Sequence, residues 1–380
     1  MIKADIIHIA GFDTYNDTHE SGNYILFDFM RKLKYDSKMI LCLEKLKNDP
    51  DTYYVPKEFL FEVIESCKVL IIHDQLLNAS EIREIHKKTN CKILKITQTH
   101  YHLMTENTTG HDCHPELNDV ATKIYNSKFL KEKKAICDEL PITIVYGSSY
   151  TGRITEEYEM YNNLIQLPLP LEVPYNPMSK LELKKIMFND STEDVNKKFI
   201  FWGSSHPHTE RKGKILFDKV LDLLWDKLNI EEQKQIGILN VGPSAGRFGK
   251  SSKFDIYRTG YLHTRQKMAG AYKLCDVAVN TTIADAGPMM ISEAMCNETP
   301  VIAFDRSIAC DLCIDGETGY LIKNLNLQSM CDAIYDILFV DDIEKMSIQA
   351  REKYLEFHNS EILLDKWDTL IKKLIEDETQ

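Results

Sequence analysis

The chain lacks a basic excess. Across 380 residues its formal charge is -12, and an acidic balance of that size excludes a general nucleic-acid binder, which must neutralise phosphates with a basic surface. It also lacks any apolar run near the roughly 20 residues needed to cross a bilayer, so any membrane contact is expected to be peripheral. No secretory leader is expected either, because the opening MIKADIIHIAGFD turns polar after a strand-length stretch. Ten scattered cysteines in such a chain read as reduced thiols in the cytoplasm. Cys310 and Cys313 form a C-x-x-C without a second pair at metal spacing, so no structural metal is expected. Internal repeats, low-complexity tracts and long runs of one charge are absent as well.

What remains is ordinary globular material, 43% apolar and 27% charged, in a chain long enough for two cores. Short runs rich in Ile, Val and Leu alternate with amphipathic stretches, as parallel strands alternate with crossover helices. The first half predicts strands at Asp5–Ala10, Ser37–Leu43, Lys68–His73, Lys92–Thr97 and Ile142–Tyr146, with helices over Asn23–Leu33, Pro56–Glu65 and Ser80–Lys88. The segment LPLPLEVPYNPMS, 167–179, holds four of the twelve prolines and reads as a linker and one strand of a hinge. Beyond it the alternation resumes, with strands Lys198–Trp202, Gln235–Val241, Asp276–Asn280 and Pro300–Phe304 and helices near 211–227, 264–274, 288–297 and 326–339. The fold class is therefore α/β. Two Rossmann-like, doubly wound domains are expected over 1–170 and 180–358. A last helix over 360–376, within a tail 360–380, carries Leu363, Leu364, Trp367, Leu370 and Ile371 as an apolar stripe and is expected to pack back on the first domain.

The chemistry concentrates at Thr281–Phe304, TTIADAGPMMISEAMCNETPVIAF, a strand end, a loop, a helix start near Pro288 and another strand. Proline suits the first helical position, and Gly287 lets the main chain approach a ligand. The open amides of Pro288's successors, Met289 and Met290, offer an anion site beside Ala286 and Gly287. Asp285 and Glu293, eight positions apart, place two carboxylates where sugar and ribose hydroxyls can donate to them.

These residues resemble the family 4 retaining glycosyltransferases, whose E-x7-E is here D-x7-E. The run that follows departs from the family at Asn297-Glu298. FWGSSHPHTERKGKIL, 201–216, resembles the same family's strand, loop and R-K-G helix start. There Lys212 takes the place of the phosphate-binding lysine, and Ser204 after Gly203 stands where the family often has arginine, with Arg211 as its substitute. Tyr261 and the helix bearing Tyr272 resemble the nucleotide-side turn and the helix before the motif strand. Gly22 stands in for the family's double glycine in the first domain, and His100 matches its acceptor-side histidine. The resemblance implies the GT-B fold, two Rossmann-like domains facing a central cleft. It implies transfer of a hexose-type sugar from a nucleotide diphosphate donor, UDP or GDP, with retention, to a glycan, glycolipid or protein-linked glycan of the polysaccharide-building type. No metal and no cofactor are implied, the nucleotide sugar being the donor substrate. His100, Lys212, Asp285 and Glu293 are the catalytic candidates. Gly22, Gly203, Ser204, Arg211, Tyr261, Ala286, Gly287, Pro288, Met289 and Met290 are the donor-binding candidates. Sugar, base, acceptor and oligomeric state stay open.

Other readings compete. GPSAGRFGKSS after Val241 suggests a P-loop hydrolase, but a Walker loop wants glycine where Ser244 stands. A catalytically inactive sugar-nucleotide-binding protein or partner subunit keeps the fold and discards the chemistry. Asp49-Pro50-Asp51 is formally a D-x-D, expected instead to be a solvated turn. His206 and His208 read as surface loop residues.

Overall fold

The computed structural model of the chain describes residues 1–12, 22–44, 49–73, 77–97, 135–157, 163–189, 191–204, 212–242, 253–283, 285, 287 and 289–376. The described residues fall into two compact units. One runs to Glu172 and resumes at His358; the other spans Val173–Phe357.

The first unit holds a seven-stranded sheet of β1 (Ile6–Phe12), β2 (Ser37–Glu44), β3 (Thr52–Tyr54), β4 (Val69–His73), β5 (Lys92–Thr97), β6 (Ile142–Tyr146) and β7 (Leu164–Gln166). Their spatial order is β3-β2-β1-β4-β5-β6-β7, every neighbouring pair parallel. Strands such as VLIIH and ITIVY are buried at every position because helices cover both faces. Alternate residues feed two cores: Ile7, Ile9, Leu70 and Ile72 face one side, while Ile6, Val69 and Ile71 face the other. Helix α1 (Gly22–Lys32) and the last helix (Ser360–Glu376) share that second side. There Trp367 is fully buried and its indole donates to the Pro168 carbonyl at 3.1 Å, and Tyr35 donates to Asp368 at 2.6 Å.

The second unit repeats the plan with β8 (Lys198–Gly203), β9 (Ile236–Val241), β10 (Asp255–Gly260), β11 (Val277–Asn280), β12 (Val301–Phe304) and β13 (Gly319–Ile322), ordered β10-β9-β8-β11-β12-β13 and again parallel. The third, second, first, fourth, fifth and sixth strands thus lie side by side in both units, the doubly wound order with a switch point beside the first strand. Helices Lys214–Lys227 and Leu327–Phe339 fill one face of the second sheet. Arg265–Leu274, Met289–Cys296 and Ile343–Phe357 fill the other.

Two expectations are corrected here. The helix foreseen over Pro56–Glu65 is a 3-10 turn at Lys57–Phe59, one α turn at Leu60–Val63 and a strand, Ile64–Ser66, that pairs with Ile2–Lys3. The β-branched Val63-Ile64 pair leaves the helix to extend. The D-x-D turn is not solvated: Asp49 is buried, ion-pairs with Arg31 at 2.9 Å and accepts from the Tyr24 hydroxyl at 3.1 Å. Asp51 meets Lys38 at 2.5 Å. The turn seats α1 against the sheet edge. Burial would raise the Asp49 pKa, but the Asp51 amide and the Arg31 guanidinium outweigh it and hold it below the ordinary carboxylate range.

Candidate functional site

In open α/β sheets ligands gather outside the carboxyl ends of the strands, at the switch point. In the second unit that point lies between β8 and β11, and the sequence-predicted residues that the structure describes there come from the two connections that follow these strands. Gly203 ends β8, and a Cβ there would lie 2.9 Å from the Val241 carbonyl oxygen, so glycine keeps the two strand ends close. The Ser204 amide donates to that same carbonyl at 3.2 Å.

Lys212 follows, and its position is built from behind. Gly213 adopts φ +68°, and a Cβ on it would come within 1.9 Å of the Thr281 carbonyl oxygen. Only glycine fits on both counts. Thr281, buried just past β11, accepts from the Trp202 indole at 3.2 Å and donates to the Lys212 carbonyl at 3.2 Å. The main chain at Lys212 is thereby tied to both strands of the switch point. Its side chain then meets Asp285: Nζ and Oδ2 are 2.7 Å apart, with 18% and 14% of the two side chains exposed. Residues 73 positions apart in sequence thus form one ion pair.

Past Asp285 the Gly287 amide donates to its Oδ1 at 3.4 Å. Helix Met289–Cys296 follows, with Met289 and Met290 half-buried. One turn in, the Glu293 carboxylate accepts from the Tyr272 hydroxyl at 2.7 Å. Tyr272 is buried, and its phenol is pushed well above the ordinary value by burial first and by Glu293 second. It therefore stays a donor at any working pH. Tyr261, 38% exposed, follows β10 with its ring 5.4 Å from that of His263.

Gly22 begins α1 in the first unit. His100, Arg211, Ala286 and Pro288 lie outside the described residues, as do His206, His208 and the glycine-rich segment after Gly242.

Three sets of residues carry the geometry without having been singled out for it. Trp202 and Thr281 fix the lysine; the only signal was Thr281's place at the strand end. Asn297 and Glu298, noticed as departures from the motif, turn out to hold the proline-rich segment. Asn297 accepts from the Asn176 amide at 2.9 Å and donates to the Pro174 carbonyl at 3.1 Å and the Glu293 carbonyl at 2.9 Å. Glu298, at φ +58°, accepts from Tyr175 at 2.8 Å and pairs with Lys273. The Arg351 guanidinium lies 3.5 Å from the Tyr175 ring centre and donates to the Cys296 carbonyl. Finally, the buried Asp276 carboxylate is bonded by Lys180 at 2.9 Å, Lys184 at 3.4 Å and the Phe199 amide at 2.7 Å. Burial opposes its charge, but the two ammonium groups hold its pKa below the ordinary value.

Two Rossmann-like units of this kind define the GT-B fold, and solved structures agree over the whole chain. Sucrose-phosphate synthase from Thermosynechococcus elongatus superposes with a TM-score of 0.70 at 15% identity, covering 99% of this chain and 100% of that one. TarM of S. aureus, solved with Fondaparinux, alpha-GlcNAc-glycerol and UDP, gives 0.58 at 15% identity over 83% of this chain and 57% of its own. Residues 196–339, which contain Lys212, Asp285 and Glu293, match the family model of group 1 glycosyl transferases. A stretch of 120 residues is 32% identical to the poly(ribitol-phosphate) alpha-N-acetylglucosaminyltransferase of Staphylococcus aureus. That match spans 31% of this chain and 24% of the relative. Among the described residues no helix is long and apolar enough to cross a membrane.

Proposed function

We propose that the chain is a retaining, metal-independent glycosyltransferase that moves a hexose-type sugar from a UDP or GDP donor to a glycan, glycolipid or protein-linked glycan. The observation that carries this reading is the meeting of Lys212 and Asp285 at the switch point, inside the segment that matches the group 1 transferases. Lys212, with Arg211 beside it in sequence, binds the diphosphate. A fixed cation there stabilises the negative charge that grows as the glycosidic bond breaks, without a metal. Asp285 accepts hydrogen bonds from sugar hydroxyls, and Glu293, oriented by Tyr272, accepts from ribose or sugar. Gly203, Ser204, Tyr261 and residues 286–290 line the donor. Gly22 and His100 keep the roles the resemblance assigns them, the histidine acting at the reacting sugar.

The UDP-bound TarM and the N-acetylglucosaminyl relative make UDP-N-acetylglucosamine the first donor to test. A thermal-shift panel of UDP and GDP sugars should show stabilisation of about 2.7 kcal/mol at 100 times the dissociation constant. No shift with any of them overturns the proposal. Product anomers read by NMR test retention. Turnover lost completely in EDTA and restored by magnesium or manganese contradicts metal independence. Ser204 at a position where arginine is frequent favours a second reading, a donor-binding protein without turnover; binding with no transfer to any of a broad set of acceptors would establish it.

A further inference from the structure

Resting on the transferase reading, we propose that Asn297 is a positioning residue for the sugar nucleotide. It joins the proline-rich segment 173–176 to the helix that carries Glu293, so that a bound donor and a docked segment stabilise each other. Both lie in the second unit. Helix Met289–Cys296 has only eight residues, and so short a helix does not hold in water unless its ends are capped. Its last carbonyls, from Glu293 to Cys296, each find a donor beyond the helix. The Glu293 carbonyl accepts from the Asn297 side chain at 2.9 Å. Ala294 accepts from the Asn297 and Thr299 amides, both at 3.0 Å, and Met295 from the Glu298 amide at 3.1 Å. Cys296 accepts from the Arg351 guanidinium at 2.7 Å. Glu298, at φ +58°, makes the left-handed turn that commonly ends a helix, usually on glycine.

The residues that cap the helix are the ones that grip the segment. Asn297 is fully buried. Besides the Glu293 carbonyl, its side chain bonds the Pro174 carbonyl at 3.1 Å and the Asn176 amide at 2.9 Å. Glu298 accepts from the Tyr175 hydroxyl at 2.8 Å, and Arg351 lies 3.5 Å from the Tyr175 ring centre. The Thr299 hydroxyl donates to the Tyr272 carbonyl at 2.8 Å. The tyrosine that orients the Glu293 carboxylate is thus fixed by the same turn. When the segment lifts away, Asn297 and Glu298 lose the partners that hold them in place, and the end of the helix from Glu293 onward frays. A donor whose hydroxyls hold the Glu293 carboxylate opposes that fraying. Such a coupling is reciprocal: the factor by which the donor holds the segment down is the factor by which a released segment weakens the donor.

The test follows hydrogen exchange of the Asn176 amide in the full chain, which proceeds through openings that break its bond to Asn297. With saturating UDP-N-acetylglucosamine, and with each further UDP and GDP sugar in turn, exchange should slow about fivefold, the lower end of coupling between sites. Asn297→Ala should weaken the same sugar nucleotide by the same factor and abolish the slowing. A residue that only supports the fold would lower the melting temperature and leave exchange at Asn176 indifferent to the donor. Tyr175→Phe keeps the ring and removes only the bond to Glu298, so it serves if Asn297→Ala does not fold, and it should act in the same direction with a smaller effect. A sugar nucleotide that binds the wild type without slowing Asn176 exchange, or that binds the variants as tightly as the wild type, overturns the coupling and leaves the transferase reading in place. A wild-type chain that binds no sugar nucleotide overturns both.

Discussion

The two units share one strand order and differ in how they treat polarity inside it. In the first, His8 on β1 and His73 on β4 are wholly buried, their ring nitrogens 3.0 Å apart and their rings stacked at 5.3 Å under Phe27. Both imidazoles stay neutral: burial pushes His73 down to about 3, and burial and then the neighbouring ring push His8 well below its ordinary value. In the second, the buried group is an ionised carboxylate, Asp276, with two lysines and an amide around it. The same scaffold thus tolerates a neutral pair that bonds to itself while its outer nitrogens, His8 Nε2 and His73 Nδ1, stay buried without a partner, or a charge that needs a full set of partners. The difference teaches where each unit is vulnerable: the first to protons, the second to loss of a partner.

The comparison breaks most completely if residues 360–380 are deleted. Trp367, Leu363, Leu370, Ile371 and Leu374 form part of the first unit's core although they end the chain. Truncation should abolish the cooperative melting of the first unit and leave the second intact, as limited proteolysis would map. A truncated chain that melts unchanged removes the last helix from that core.

Asp276→Ala should reach the second unit in turn. It leaves the Lys184 ammonium buried and the Phe199 amide unbonded, at a cost of about 3–5 kcal/mol read from urea unfolding. An effect below about 1 kcal/mol would mean that the lysines find other partners as good.

Acid should separate the units without any mutation. His8, His73 and His358, the last pushed down to about 4 by burial, all belong to the first unit. Each binds its proton more readily in the unfolded chain, so its contribution is complete above about pH 6.5 and shrinks as pH falls toward the folded values. The loss reaches about 1.4 kcal/mol per pH unit for each group. Among the described residues the second unit's histidine is His263, which is exposed. Between pH 7 and 5 the urea midpoint of the first unit should fall well ahead of the second. Equal falls in both would show that carboxylates, not histidines, govern acid unfolding.

The smallest effect expected concerns Tyr272→Phe. The ring keeps its contact with Phe201, whose centre is 4.4 Å away, but Glu293 loses its donor. Stability should drop by about 1 kcal/mol. UDP-sugar affinity should weaken a few-fold, with UDP affinity less affected if Glu293 reads the sugar and equally affected if it reads the ribose. Calorimetry distinguishes the two.

Much of this architecture was readable from sequence because buried parallel strands are near-continuous apolar runs. β1, β2, β4, β5, β6, β8, β9, β11 and β12 fall within two residues of where Ile- and Val-rich runs predict them. Within the two large sheets the strands left unread are β3, β7, β10 and β13, the outermost strand at each end of both sheets. An edge strand has one neighbour and partial exposure, so DIYRTG and LIQ carry no buried run to announce them. The motif helix was readable for the same reason as its flanking strands, from glycine, proline and carboxylates at a spacing that local rules interpret.

Sequence by itself determined the fold class, the alternation of strands and helices, and the candidacy of Lys212, Asp285 and Glu293, because each depends on neighbours a few residues away. The tertiary structure alone decided that Lys212 and Asp285 touch, that Thr281 and Trp202 hold the lysine from behind, and that Asn297 and Glu298 fasten residues 174–176. It also decided that His8 shares a hydrogen bond with His73. These contacts join residues from 65 to 123 positions apart. No local rule reaches that far; the order in which strands lie side by side brings such residues together, and that order exists only in the folded chain.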